Sequence, residues 1–291
     1  MREQFNPAAI KALALDLDGT ALLPDTSMGE RTVQCLKRLK AGGREIIFCT
    51  GRAIESSCRY YSAVGADGPM VFFNGAEVAG IPSSSTDGEI KVISSALMSL
   101  DAVDFGIDVA RSMGVHFHIF LPPNSRPGVA GGWEALLTEK QSPESEMYRR
   151  HTGITPVIAD LKTVIANPDV KGCVKAMFIA DPSLLEEIRG KMLARFGAAI
   201  YTARSFPTFL EIMSAGVNKG EGLKTVMRCR GLKPEEVIAF GDEENDLPMF
   251  SVAGFSAAPS SAKEKVRQEA DFIFGSNAEE GLAAFLEEMF S

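Results

Sequence analysis

No run of 18 uninterrupted apolar residues occurs in the 291-residue chain, so no segment reads as a transmembrane helix. There is no excess of basic charge either. Thirty Lys and Arg stand against 38 Asp and Glu, a net −8, and nothing in the overall electrostatics favours nucleic acid or an anionic membrane. The five cysteines, Cys35, Cys49, Cys58, Cys173 and Cys229, are odd in number and far apart, without a CxxC pair or zinc-like spacing. They read as reduced, buried thiols of a cytoplasmic protein. The apolar stretch from Ala8 to Leu15 is interrupted by Lys11 and followed by Asp16 and Asp18, so a signal-peptide core is lacking. No internal repeat or low-complexity segment is present.

What the chain has is a globular composition, 45% hydrophobic and 23% charged, and a length suited to about two domains. Short apolar strands alternate with amphipathic helices, the pattern of a parallel sheet covered by helices. The first strand is Ala12-Leu13-Ala14-Leu15, running into Asp16-Leu17-Asp18-Gly19-Thr20. Ser27 and Glu30 are spaced as a capping box for the next helix, with Gly42 or Gly43 as its stop. Arg44 to Thr50 forms the second strand and Met70 to Phe73 the third. The strands end in Asp16 and Asp18, in Thr50-Gly51-Arg52 and in Asn74-Gly75. Ligands of open α/β sheets bind at the carboxyl ends of strands, so these clusters are expected to converge.

From Pro82 the texture changes to a polar linker, Ser83 to Gly88, where a second domain is expected to begin. Leu100, Val103, Ile107 and Ala110 form a helical stripe, and Val115 to Leu121 alternates as a strand. That alternation puts His116 and His118 on the face opposite Phe117 and Ile119. Pro122 to Gly132 reads as a loop, with Arg126 and Trp133 as surface or lid residues. A strand from Val174 to Ala180, a helix bearing Leu185, Ile188 and Met192, and a hairpin from Ala199 to Met213 complete an α+β insertion of roughly 130 residues. The α/β pattern resumes with a helix from Lys219 to Arg230, a strand Val237 to Phe240, and short strands near Phe255 and at Asp271 to Phe274.

Asp16 and Asp18 place two carboxylates at one strand end, followed by a glycine that can turn the chain sharply. One carboxylate can attack while the other moves protons, provided their repulsion is neutralised. Asp242-Glu243-Glu244-Asn245-Asp246, at another strand end, supplies hard oxygen ligands suited to magnesium. A carboxylate nucleophile with magnesium implies phosphoryl transfer through an aspartyl phosphate. Thr50, and Lys219 next to the helix N-cap Asn218, are the candidate donors to phosphoryl oxygens.

DLDGT at Asp16 to Thr20, TGR at Thr50 to Arg52, NKG at Asn218 to Gly220 and GDEENDLPMF at Gly241 to Phe250 resemble, in this order, the four motifs of the haloacid dehalogenase superfamily. Asn74-Gly75, the mid-chain insertion and Glu211-Ile212 narrow the resemblance to the Cof-like hydrolases. It implies an α/β fold, a Rossmann-like three-layer core with a parallel sheet, at residues 1–81 and 212–291, and an inserted α+β cap at 82–211.

By the same resemblance, Asp16 is the nucleophile and Asp18 the acid and base. Thr50 and Lys219 hold the phosphoryl group. Asp16, the backbone of Asp18, and Asp242 bind Mg2+, with Asn245 and Asp246 in or next to that shell. Gly51, Asn74 and Gly75 line the substrate, and Arg52 either contacts it or pairs with an acid. From the strand's alternation, His116 and His118 are either cap candidates for the leaving group or residues of an exposed sheet face. The stretch after the fourth motif, Phe255 to Ser261, offers serines where the family usually has an asparagine. The implied activity is a magnesium-dependent phosphatase acting on a small phosphorylated metabolite such as a sugar phosphate. A phosphomutase and a non-catalytic phosphometabolite-binding regulator are the alternatives. The sequence does not give the oligomeric state.

Overall fold

The computed structural model describes residues 5–81, 90–123, 125 and 135–290. The polar segment expected at 83–88 and the loop residues Arg126 and Trp133 lie outside the described residues. The chain divides into two compact units. Among described residues the first comprises 5–52, 57–81, 90–94 and 218–290; the second comprises 53–56, 95–123, 125 and 135–217.

The first unit is built on a five-stranded parallel sheet. Its order across the sheet is Phe272–Phe274, Phe255–Pro259, Val237–Phe240, Ala12–Leu15 and Glu45–Phe48. Ala12–Leu15 is flanked by a strand on each side and wholly buried, which is why it reads as a continuous apolar run rather than an alternating one. Ala12, Ala14, Val237 and Ala239 pack with Leu223 and Val226 of the helix Lys219–Arg230. On the opposite face Phe240 meets Phe285 of the helix Gly281–Met289, so helices cover both sides and the core has three layers.

Register does the work that function needs. Leu15 lies level with Phe240 on one side and Phe48 on the other, so three neighbouring strands end together. Asp16, Gly241-Asp242 and Cys49-Thr50 therefore emerge along one edge.

Three local expectations are corrected. The strand Pro69–Phe72 heads a separate antiparallel sheet with Glu77–Gly80 and Lys91–Ser95; a Cys49–Val71 bridge and the hydrogen bond from Thr50 N to Val71 O stitch it to the parallel one. The Ser27/Glu30 capping box does not form. The helix Glu30–Ala41 has Gly29 at its N-cap, Ser27 bonds to Asp25 instead, and the N–H of Thr32 is taken at 3.0 Å by Oε1 of Glu280, 248 residues away. Gly42 ends that helix as expected. All five cysteines are free, but of the five expected to be buried Cys58 is half-buried and Cys229, at the end of its helix, is exposed.

The second unit carries a six-stranded sheet, ordered Ile200–Phe206, Phe209–Ser214, Lys175–Ile179, His116–Leu121, Ala135–Thr138 and Val157–Ile158. The hairpin expected from residue 199 is its edge pair. The strand Phe209–Ser214 lies wholly in this unit, so the boundary drawn between residues 211 and 212 falls inside a strand. Phe117, Ile119, Phe178 and Leu210 pack against Val103, Ile107, Leu185, Ile188 and Met192 of the helices Leu100–Met113 and Pro182–Phe196. On the other face lie His116, His118 and Phe120, with Tyr148 of the helix Pro143–Thr152 against His118. Neither histidine is on an open sheet face: they are 5% and 0% exposed.

Candidate active site

Asp16 leaves the strand Ala12–Leu15 with its N–H donated to Phe240 O, and the chain then turns through Gly19 at φ +75°. A Cβ at Gly19 would stand 2.1 Å from Oδ2 of Asp242, so the bare glycine lets the two acidic segments approach. Thr20 fixes the approach from the other side, its hydroxyl donating to Oδ1 of Asp242 at 3.0 Å. The role of Thr20 is a residue-level detail that the DLDGT motif contains but its carboxylates overshadow.

Asp246 organises the Asp242 loop. Its Oδ2 accepts the N–H groups of Asp242 and Glu243 at 2.9 and 3.0 Å, and its Oδ1 accepts Lys219 Nζ at 2.6 Å. The same Nζ lies 2.6 Å from Oδ1 of Asp16. Lys219 opens its helix next to the N-cap Asn218, whose side chain accepts Glu221 N at 2.9 Å. A Cβ at Gly75 would meet the carbonyl oxygen of Asn218 at 2.2 Å, so the Asn74-Gly75 turn and the lysine's helix start are pressed together.

The electrostatics follow from burial. Asp16, Lys219 and Asp246 are 5%, 1% and 0% exposed. Burial and the neighbouring Asp246 push the Asp16 carboxyl well above the usual range, more than Lys219 pulls it down. Burial and Asp246 likewise raise Asp242 to about 7, against the Thr20 hydrogen bond. Burial disfavours the Lys219 charge, but Asp16 and Asp246 outweigh it and its pKa rises. Carboxylate oxygens of Asp16, Asp242 and Asp246 all lie within 4.8 Å of one another.

Thr50, fully buried, accepts Arg52 N on its hydroxyl at 3.1 Å, and its carbonyl accepts Asn74 N at 3.0 Å. Asn74 sits at φ +56° and accepts Asn245 Nδ2 at 3.0 Å, whose own Oδ1 is buried with no hydrogen-bond partner among the described residues. A Cβ at Gly51 would lie 3.1 Å from Asn74 Oδ1. Asp16, Asp18, Thr50, Gly51, Arg52, Asn74, Gly75, Lys219, Asp242, Asn245 and Asp246 thus all belong to the first unit. Arg52 holds the carboxylate of Asp18: Nε is 2.7 Å from Oδ2 and Nη2 is 2.5 Å from Oδ1. No pattern in the sequence joins these residues, which lie 34 positions apart.

His116 and His118 belong to the second unit, where they bond to each other at 3.2 Å and His116 Nδ1 meets Ser142 Oγ at 3.1 Å. Burial pushes His116 down to about 4 and His118 well below the usual imidazole range.

The family model of the haloacid dehalogenase-like hydrolases matches residues 13–286. A 5-amino-6-(5-phospho-D-ribitylamino)uracil phosphatase of Bacillus subtilis is 29% identical, over 96% of this chain and 97% of its own. An HMP-PP phosphatase of Cronobacter sakazakii is 28% identical over 83% of this chain and 80% of its own. A crystal structure of a Thermotoga maritima protein matches the fold with a TM-score of 0.81 at 26% identity, covering 96% of this chain and 97% of that one. With the motif order, the site geometry and a match over nearly its whole length in agreement, the chain belongs to the haloacid dehalogenase-like hydrolases, in their Cof-like branch.

Proposed function

We propose that this phosphoric monoester hydrolase is a magnesium-dependent phosphatase that cleaves a small phosphorylated metabolite through an aspartyl phosphate on Asp16. The observation that carries the reading is the placement of Lys219 Nζ 2.6 Å from Asp16, beside the acidic cluster of Asp242 and Asp246. The relatives' names support the substrate class, since they describe phosphatases of small phosphorylated molecules.

The residues fit a hard divalent cation. Asp16, Asp18, Asp242 and Asp246 bring four carboxylates, against which the ion pairs among the described residues set the cations of Lys219 and Arg52. Asp16 and Asp242 would hold Mg2+ with the carbonyl of Asp18; Asn245 and Asp246 would lie next to them. Asp246 has both oxygens engaged already, which suits it to orienting Lys219 and the Asp242 backbone. When bound, the ion supplies positive charge to the phosphoryl oxygens and to the nucleophilic carboxylate.

In the first half-reaction an oxygen of Asp16 attacks phosphorus, the bond from phosphorus to the substrate oxygen breaks, and Asp18 delivers a proton to that oxygen. In the second, Asp18 takes a proton from water as the water oxygen attacks phosphorus, and the bond to Asp16 breaks, releasing phosphate. Lys219 offsets the charge of Asp16 and, with Thr50, donates to phosphoryl oxygens. Catalysis is assigned to the first unit, and selection of the leaving group to the second.

Phosphate release from a panel of phosphorylated metabolites, measured with magnesium and with a chelator, tests the proposal alongside Asp16→Asn. Magnesium-dependent turnover abolished by the substitution supports it. Turnover that requires a bisphosphate activator would turn the reading to a phosphomutase, and phosphometabolite binding without turnover to a regulator.

A further inference from the structure

Arg52 was expected either on the substrate or paired with an acid, and its donors meet an acid, Asp18. Two of its nitrogens are spent on Asp18, Nη1 leans on the Tyr60 hydroxyl at 3.5 Å, and the side chain is only 12% exposed. The guanidinium carbon lies 5.6 Å from the centre of the Tyr60 ring. That ring is itself fixed, being 3% exposed, with its hydroxyl donating to Thr26 O at 2.6 Å. The backbone is tied down too, Arg52 N to the Thr50 hydroxyl and Arg52 O to Phe73 N at 3.1 Å each.

Asp18, by contrast, is 53% exposed at its side chain and sits in an irregular turn before Gly19. A half-exposed aspartate left to itself samples several rotamers. A planar fork that meets both carboxylate oxygens restricts it to one, because the two parallel hydrogen bonds fix the plane as well as the position. Each oxygen still keeps a lone pair to accept a proton.

We propose that Arg52 is a positioning residue for Asp18, holding its carboxylate where it removes the proton from the attacking water in the second half-reaction. The assignment rests on the proposed role of Asp18. The fork fixes the direction of the carboxylate, and with a leaving group that departs without a proton that direction matters only for hydrolysis of the aspartyl phosphate.

Pre-steady-state kinetics with p-nitrophenyl phosphate and magnesium test this on the full chain, because nitrophenolate departs without a proton and isolates the second step. Arg52→Ala is expected to show a nitrophenolate burst of about one per site and a steady state slowed about tenfold or more. Its kcat and KM should fall together, leaving kcat/KM near the native value. Arg52→Lys, which keeps the charge but not the fork, should give a smaller burst of the same kind and covers the case in which the alanine variant fails to fold.

A raised KM without a burst would make Arg52 a substrate ligand, and equal losses in kcat and kcat/KM with a lowered Tm would make it merely structural; either overturns the assignment. Asp18→Asn separates the two levels. If it shows the burst and the Arg52 variants do not, only the role of Arg52 falls. If it turns over like the native chain, the base assignment of Asp18 falls and that of Arg52 with it.

Discussion

The ammonium nitrogen of Lys219 stands 2.6 Å from the nucleophile candidate Asp16, and its other contact, also at 2.6 Å, is the fully buried Asp246. Removing one partner of a buried charge cluster leaves the others uncompensated. Lys219→Met is therefore expected to lower stability by about 3 kcal/mol in chelator and to reduce kcat about a hundredfold or more. Urea unfolding with and without magnesium checks the first, with part of the loss recovered by the cation; steady-state kinetics check the second.

Gly19 tests how closely the two acidic segments must approach. An added Cβ would meet Asp242 Oδ2 at 2.1 Å, and the residue's φ of +75° is itself unfavourable for any side chain. Gly19→Ala is expected to cost about 1–3 kcal/mol and to weaken cation binding by displacing Asp242. Calorimetric titration with magnesium and a melting curve read the two effects separately; native cation affinity would show that Asp242 is not held by this contact.

Glu280 separates stability from catalysis. Its carboxylate caps the helix Glu30–Ala41 by accepting Thr32 N at 3.0 Å and Thr32 Oγ1 at 3.1 Å. Glu280→Ala is expected to destabilise by about 1 kcal/mol, the usual worth of an N-cap acceptor, with kcat/KM unchanged. Denaturant midpoints and turnover measured on the same preparation decide it.

The buried histidines predict an acid-side loss of stability. Burial lowers His116 to about 4; Glu144 opposes that shift, while Lys140 adds to it. For His118 burial, His116 and Lys175 all act downward. Both imidazoles are then neutral in the folded chain and protonate more readily once it unfolds. Their share of stability is whole above about pH 6.5, the unfolded value, and is lost as the pH falls towards 4. From His116 alone the loss reaches about 3 kcal/mol at pH 4. Urea midpoints at pH 7 and pH 5 should differ, and His116→Gln should shrink the difference; an unchanged difference in that variant would sink the attribution.

Much of the site is legible in sequence because its chemistry sits at strand ends. A continuous apolar run such as Ala12–Leu15 announces a parallel strand inside the sheet, and the polar residue following it must lie at the end of that strand. The Asn218 cap is local, and it appears as read. The Ser27/Glu30 box is also local in pattern yet absent: Ser27 bonds to Asp25, the helix starts after Gly29, and Glu280 takes the N–H of Thr32 from the far end of the chain. His116 and His118 followed the strand's alternation correctly but not its environment: the second face of that sheet is covered by Tyr148.

The residues that reach the strand ends, Asp16 and Asp18, Thr50 and Asp242, and the helix start that carries Lys219, follow from neighbours along the chain, because strand period and motif order are local properties. Only the tertiary structure decided who holds whom: Arg52 on Asp18, Thr20 on Asp242, Asp246 between Lys219 and the backbone of Asp242. Those partnerships depend on register and on the space left at Gly19 and Gly75, and contacts that reach as far as 222 positions along the chain leave no period in it for a reader to find.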